Sequence, residues 1–427
     1  LFAVRRYDAR SMPSNDPLLN AATDWAVIAI FGVVYLGMFL GGLPRLRLDR
    51  SGVALLGAIA VIAVSGMGVV EAAQAIDLPT ILLLFAFMVI SAQMRLGGFY
   101  AALTQRVGAL PLSDNALLAA LIAVAAALSA VFSNDVVCLA MTPIVARLCL
   151  RRGANPLPFL MGLACAANIG SAATLIGNPQ NMLIGSVLRL DFAGYARAAG
   201  VPVLISLVLL WGWLVCVPHV RVEPLPATDR RSSDPPLDMW QTTKGLVVAG
   251  ALMGLFLFRD GPHEVMALVG AALLLLSRRL ASAEFLRLVD WPLLILFMGL
   301  FVVNHAFERT GLSAQAVAWL AGQGVRLTDP GPLMVVGVVL SNLVSNVPAV
   351  MLLLPHLSGE PGAGVLLALA TTFAGNLLLV GSIANLIVVD LARAQGIVID
   401  WRRHAVVGTP VTLLSLGVIW IWLRWGA

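Results

Sequence analysis

Apolar stretches of membrane-spanning length recur along nearly the whole chain, from Trp25 to Trp422, parted by short polar turns. A run of about 20 apolar residues is what an α-helix needs to cross the roughly 30 Å hydrocarbon core of a bilayer. In the first part of the chain the pattern predicts spans near 25–41, 52–70, 80–94 and 199–217, with a longer interrupted segment at 159–190. VFSNDVV, residues 131–137, breaks this rhythm, because Asn134 and Asp135 stand side by side among apolar neighbours. Only about eleven residues separate Asp135 from Arg147, about 16 Å of helix, too little to finish a crossing. The segment at about 114–150 therefore reads as a re-entrant helical hairpin with its polar tip inside the membrane.

The same grammar occurs twice. IDLPTILLLFAFMVI, residues 76–90, resembles VDWPLLILFMGLFVV, residues 289–303. Downstream, Ser129-A-V-F-Ser133-Asn134 matches Ser341-N-L-V-Ser345-Asn346, and GNPQN at 177–181 loosely matches GSIAN at 381–385. The second S-x-x-x-S-N predicts a second re-entrant hairpin, about 331–357, since Pro355 and His356 soon follow Asn346. Residues 159–190 would make a helix of about 48 Å if unbroken, and Gly170-Ser171 and Gly177-Asn178-Pro179 predict where it breaks. Residues 363–391 repeat this with Gly375-Asn376 and Gly381-Ser382.

These elements organise the chain into a tail at 1–24, a first repeat at 25–217, a polar Pro- and Ser-rich linker at 218–242 and a second repeat at 243–427. The fold expected is an all-α polytopic membrane protein. It has two repeats, about ten transmembrane helices, two re-entrant hairpins and two broken helices. An odd number of crossings per repeat inverts the second relative to the first. With that topology, 18 of the 27 Lys and Arg fall on the face carrying residues 43–50, 147–152 and the linker, which the positive-inside rule makes cytoplasmic. A multi-pass location in a bacterial-type cytoplasmic membrane follows.

Composition narrows the function. The chain is 60% hydrophobic and 11% charged, which no soluble protein of 427 residues would carry on its surface. The net charge of +5 is spread over short loops with no basic, aromatic-interleaved cluster, so a nucleic-acid partner is not expected. Cys138, Cys149, Cys165 and Cys216 form no C-x-x-C, and the five histidines form no metal-ligand spacing. Neither a metal, a cofactor nor an enzyme activity is indicated, and a channel is disfavoured because opposed hairpin tips suit alternating access better than a continuous pore.

Inverted repeats with broken helices are the pattern by which secondary transporters build a midplane site. A broken helix exposes N–H groups at one new end, suited to an anion, and C=O groups at the other, suited to Na⁺ or a proton carrier. A carboxylate inside a membrane segment marks a functional site by default, which singles out Asp135 as a coupling residue.

ANIGSAATLIGNPQNMLIG, residues 167–185, and the paired S-N tips resemble the ion transporter superfamily, which groups arsenite permeases, sodium–proton antiporters of the same fold and divalent anion–sodium symporters. FSNDVVCLAMTPIV is similar to the arsenite-permease segment with an Asn-Asp pair before Thr-Pro. The resemblance implies an elevator mechanism. It implies one cation site at Ser129, Ser133 and Asn134 with backbone near Gly177, and another at Ser341, Ser345 and Asn346 with backbone near Gly381 to Ala384. Ser133, Asn134, Ser345 and Asn346 are where Na⁺ would bind if it, and not H⁺, is the coupling ion, and Asn178, Asn181, Ser382 and Asn385 complete the ion- or substrate-binding set. Dicarboxylate symporters read S-N-T at both tips, whereas here Asp135 and Val347 take the third positions. The cargo expected is thus a small inorganic anion or oxyacid, arsenite- or antimonite-like, coupled to H⁺ or Na⁺. The alternatives are Na⁺/H⁺ antiport or sodium-coupled sulfate or dicarboxylate symport. The expected partners are that small ion, the lipid bilayer and, as an assembly left open, a second copy forming a homodimer.

Overall fold

The structure, a computed structural model, describes residues 17–43, 46–216, 236–259, 261–357 and 361–425. Most of the expected N-terminal tail and of the linker, including Arg230 and Arg231, lies outside the described residues. The described chain is helical apart from one minimal antiparallel pairing of β1 (Gly42–Leu43) with β2 (Leu48–Asp49), which corrects the all-α expectation at a single turn. That turn joins α1 (Pro17–Leu40) to α2 (Arg50–Ser65). Asp49 caps α2 by accepting the Gly52 N–H at 2.8 Å. This bond, with one from the Ser51 hydroxyl, holds the Asp49 carboxyl below its ordinary range.

The first half continues with a short α3 (Val69–Gln74), α4 (Leu78–Leu96), α5 (Phe99–Gly108), α6 (Asp114–Val131), α7 (Asn134–Arg152), α8 (Pro156–Ser171), α9 (Pro179–Val187) and α10 (Phe192–Cys216). The second follows the same order. It comprises α11 (Met239–Phe258), α12 (His263–Leu275), α13 (Ser282–Leu286), α14 (Trp291–Arg309), α15 (Leu312–Gly322), α16 (Pro330–Val344), α17 (Asn346–Leu353), α18 (Pro361–Ala374), α19 (Ile383–Arg393) and α20 (Trp401–Trp425). α4 and α14 start alike: Asp77 and Asp290 accept the N–H of Thr80 and Leu293, and a proline fills the first turn, where no N–H is missed.

Seven described helices are long and apolar enough to cross a membrane: α1, α4, α6, α10, α11, α14 and α20. The ten spans expected from the sequence are reduced by this measure, because α2 and α12 have only 16 and 13 residues and the two broken helices are interrupted. α6, expected as a hairpin arm, is 18 residues long because the helix runs unbroken to Val131, so length alone does not separate it from a span.

Contacts at helix ends give the directions. Glu71, just beyond α2, pairs with Arg309 at the C-terminal end of α14 and lies 3.7 Å from His305. α4 starts six residues later at Asp77, which shares a cavity with His305 and Glu308. α14 thus ends where α4 begins, and the two run antiparallel. α2 packs on α14 and α12 on α4, so each half supplies a helix to the other. A Cβ on Gly299 of α14 would lie 2.7 Å from the Ala54 carbonyl, a backbone approach that only glycine permits.

At the centre lie α8 and α18. Every residue of α8 but Leu157 is buried. α6 and α7 form a hairpin against α8, and α16 and α17 stand similarly by α18. Arg152 ties the open end of the first hairpin by donating to the carbonyls of Gly108 at 2.8 Å and Leu110 at 2.7 Å. The polar breaks of α8–α9 and α18–α19 therefore sit in the packed interior of the molecule.

Candidate functional site

Both broken helices end and restart by the same devices. Between α8 and α9, Asn178 accepts the Asn181 N–H at 2.9 Å and Pro179 opens the new helix. Between α18 and α19, a single 3₁₀ turn at Leu379–Gly381 leads to Ser382, which accepts the Ala384 N–H at 3.2 Å. Asn181 then folds back on its own break, donating to the carbonyls of Thr174 at 3.0 Å and Ser171 at 3.4 Å. Asn385 does the same to Leu378 at 3.4 Å and Gly375 at 2.8 Å. Each of these residues lies 204 positions from its counterpart (375 − 171, 378 − 174, 385 − 181). Carbonyls orphaned by the break are satisfied locally by a side-chain amide, as buried acceptors must be.

The same shift of 204 relates the bonds that join the halves. Ser382 Oγ donates to Asn168 Oδ1 at 3.0 Å, and Asn178 Nδ2 donates to Thr372 Oγ1 at 3.3 Å; Asn168 corresponds to Thr372 and Asn178 to Ser382. Each break is thus bonded to the helix preceding the other break. Asn168 Nδ2 adds bonds to Asn376 Oδ1 at 2.8 Å and Asn385 Oδ1 at 3.2 Å. Asn178 Nδ2 also reaches Ser171 Oγ at 2.9 Å. All of these side chains are buried, and among those bonded together here there is no Lys, Arg, Asp or Glu.

The hairpin tips meet this network unequally. At the first tip, Asn134 Nδ2 donates to Asn168 Oδ1 at 3.0 Å. Gly177 lies so close that a Cβ there would stand 2.2 Å from the Ser171 carbonyl oxygen and 2.8 Å from that of Ser129. Ser129 Oγ and Asn134 Oδ1 are buried without a hydrogen-bond partner among the described residues, two oxygens available to a cation or a substrate hydroxyl. Ser133 and Asp135 are half-buried, and Asp135 sits in the first turn of α7. At the second tip, Ser341 Oγ donates to Asn346 Oδ1 and to the Thr371 carbonyl at 3.1 Å. Ser345 is held at φ 77°, ψ 159°, a conformation that costs a non-glycine residue about 1–3 kcal/mol. Gly381 leaves room for Asn342, whose Oδ1 would lie 3.0 Å from a Cβ at that position. Asn134 and Asn346 are not bonded to each other.

The sequence-based set thus separates into three groups. Asn134, Ser382 and Asn385 converge on Asn168, Asn178 and Asn181 on Thr372 and Ser171, and Asn346 meets Ser341, which in turn reaches the Thr371 carbonyl. Asn168, Thr372 and Asn376, which carry the join between halves, were not among the expected site residues. Their signal was weak, because a lone Asn or Thr in an apolar helix usually serves as interhelical glue.

A family model described as citrate transporter matches residues 26–371. The chain belongs to the citrate transporter family. This family member is 31% identical over 382 residues to an uncharacterized transporter of Mycobacterium tuberculosis, covering 82% of this chain and 87% of that one. It is 28% identical over 463 residues to a silicon efflux transporter of Oryza sativa subsp. japonica, covering 91% and 95%. Its fold is similar to the crystal structure of the Alcanivorax borkumensis YdaH transporter, with a TM-score of 0.58 at 14% identity over 96% and 99% of the two chains. The resemblance to the ion transporter superfamily holds, and this member of the citrate transporter family is a multi-pass membrane transporter. Its interior brings helix N-termini from α9 and α19 and hairpin restarts from α7 and α17 around neutral amides and hydroxyls, an arrangement able to hold a small polar solute by hydrogen bonds.

Proposed function

We propose that the protein is a secondary active transporter of a small neutral or weakly charged oxyacid, of the arsenite, antimonite or silicic acid type, coupled to H⁺ or Na⁺. One observation carries this reading: the two breaks are joined through amides and hydroxyls alone, with no cation among the bonded groups and a carboxylate, Asp135, at one tip. Citrate, which the family description names, is a trianion near neutral pH and calls for Arg or Lys partners. A neutral polyhydroxy acid needs only donors and acceptors, which this site has in plenty, and the rice relative is a silicon efflux transporter.

The mechanism proposed is alternating access of elevator type, with hairpins and broken helices moving as one unit. The cross-bonds between breaks, the recurring element order and the antiparallel α4 and α14 support inverted repeats. Re-entry of the first hairpin is supported by the level of its tip: Thr174 in the break bonds the Ala130 carbonyl at 2.5 Å, and α9 runs about 13 Å further in the same half. Asp135 is the proposed coupling residue, with Ser129, Ser133 and Asn134 beside Gly177 as one cation site and Ser341, Ser345 and Asn346 near Gly381 as the other. Asp135 also favours a second reading, cation exchange.

The test is thermal stabilisation of the purified protein by arsenite, silicic acid, Na⁺, sulfate and citrate, since a ligand bound to the folded state stabilises it. It is followed by gradient-driven flux in proteoliposomes carrying wild type or Asp135→Asn. The variant is expected to bind the oxyacid yet lose accumulation. Stabilisation by citrate alone would overturn the oxyacid reading, and unchanged accumulation by Asp135→Asn would return Asp135 to a structural role.

A further inference from the structure

Tyr195 and His404 occupy matching places at the starts of α10 and α20. Asp191 and Asp400 begin the two helices alike, accepting the N–H of Gly194 at 2.5 Å and of Arg403 at 2.8 Å. The ring follows four residues later, 209 positions apart (400 − 191, 404 − 195). Each ring reaches the break of its own half. Tyr195 Oη donates to the Ala172 carbonyl at 2.9 Å, and His404 Nε2 lies 2.9 Å from the Asn376 carbonyl, which is 204 residues beyond Ala172. A carbonyl oxygen only accepts, so His404 carries its proton on Nε2. Gly408 makes the approach possible, for a Cβ there would lie 2.2 Å from the Asn376 oxygen and 2.7 Å from His404 Nε2.

The two clamps differ in one chemical respect. A phenol ordinarily titrates near pH 10 and an imidazole near 6.5. We propose that His404 is the positioning residue of the second break, and that protonation of its ring tightens this break while the first, clamped by Tyr195, does not respond to pH. The proposal deepens the transport reading and rests on it for its consequence: one side of the site senses protons and the other does not.

The surroundings leave the backbone as the partner of that charge. His404 is 2% exposed. α10 carries Arg197 and Cys216 besides Tyr195. Trp213 Nε1 donates to the Val406 carbonyl at 2.9 Å, which puts the Cys216 end near His404 and Arg197 about 24 Å further along the helix. α8 offers only Cys165, and α18 and the turn at Leu379–Gly381 carry no titratable side chain. On α20 itself Arg402 and Arg403 are exposed, and Asp400 stands one turn earlier. A protonated ring therefore acts on the Asn376 carbonyl at the C-terminal end of α18, where partial negative charge favours a cation and the hydrogen bond becomes charge-assisted. Asn376 Oδ1 is bonded to Asn168, and Asn168 to Asn134, so the position of the second break is passed to the first hairpin tip.

Hydrogen exchange of the full chain in detergent, followed by mass spectrometry at about pH 5.5 and about pH 8, tests this without a substrate. After correction for intrinsic rates, amides of residues 375–383 are expected to exchange roughly tenfold more slowly at the acid value, while those of 172–178 stay unchanged. His404→Gln, which keeps a donor and cannot titrate, is expected to abolish the difference; Tyr195→His is expected to create one in the first break. A wild type without a pH response at 375–383, or one that responds equally at both breaks, overturns the proposal whether or not the variants fold. An equal response in His404→Gln does so too. Vesicles that move neither arsenite nor silicic acid at either pH would remove the transport reading and leave the exchange result standing.

Discussion

Asn168 is the residue on which the two halves depend most directly. Its Oδ1 accepts from Asn134 and Ser382, and its Nδ2 serves Asn376 and Asn385. Asn168→Ala strands several buried polar groups, each worth about 1–3 kcal/mol when left unpaired. A loss of about 2–5 kcal/mol in unfolding free energy is expected, with no transport; Asn134→Ala should cost less, because its side chain joins the network through Asn168 alone. Thermal unfolding of both variants in the same detergent checks the order, and a cost for Asn134→Ala equal to or above that for Asn168→Ala would place the hub elsewhere. Ser345 makes the opposite case. Its φ of 77° is unfavourable for any side chain, so Ser345→Gly should raise stability by about 1 kcal/mol, the strain relieved minus the extra entropy of glycine in the unfolded chain. If transport falls while the melting temperature rises, the strain belongs to function. The Asn and Ser residues of the tips and breaks were legible from the sequence because they repeat, whereas Asn168 and Thr372 were not, since one lies where the other half has a different residue type.

At the scale of elements, the broken helices exist because glycine lets two backbones approach where a helix has been interrupted. Gly177→Ala places a methyl group 2.2 Å from the Ser171 oxygen and has only backbone to push against, so folding or insertion should fail or the first break should move. Around Gly200 in α10 there is open space, with nothing within 4 Å of where a Cβ would stand, and Gly200→Ala should be neutral or stabilise by up to about 1 kcal/mol. Expression level and melting temperature of the pair separate a packing glycine from a merely tolerated one; equal behaviour would mean that the close approach at Gly177 is not required. The break positions could be read from Gly-Ser and Gly-Asn-Pro, and the end of α6 at Val131 from the Ser133-Asn134-Asp135 stretch just beyond it.

For the whole molecule, the proposed inverted arrangement places residue 47, just before α2, on the face where α4 ends, and residue 326, just after α15, on the face where α4 begins. In a background lacking the four native cysteines, Arg47→Cys and Arg326→Cys are expected to react with an impermeant thiol reagent from opposite sides of the membrane. Labelling from one side would end the inverted arrangement. Much of this scale was determined by sequence alone. Period and length of apolar runs dictate membrane helices because lipid offers no partner to an open backbone, and the duplicated pattern with an odd number of crossings predicts the opposite directions that the labelling tests. Which polar group meets which was decided only by tertiary structure. Asn168 and Ser382 are 214 residues apart, Asn168 and Asn385 217, and Asn178 and Thr372 194, and no local pattern encodes a bond across such separations. The same holds for Tyr195 and His404: their helices look alike in sequence, but only folding brings each ring to a carbonyl that lost its helical partner, where a buried acceptor must be satisfied.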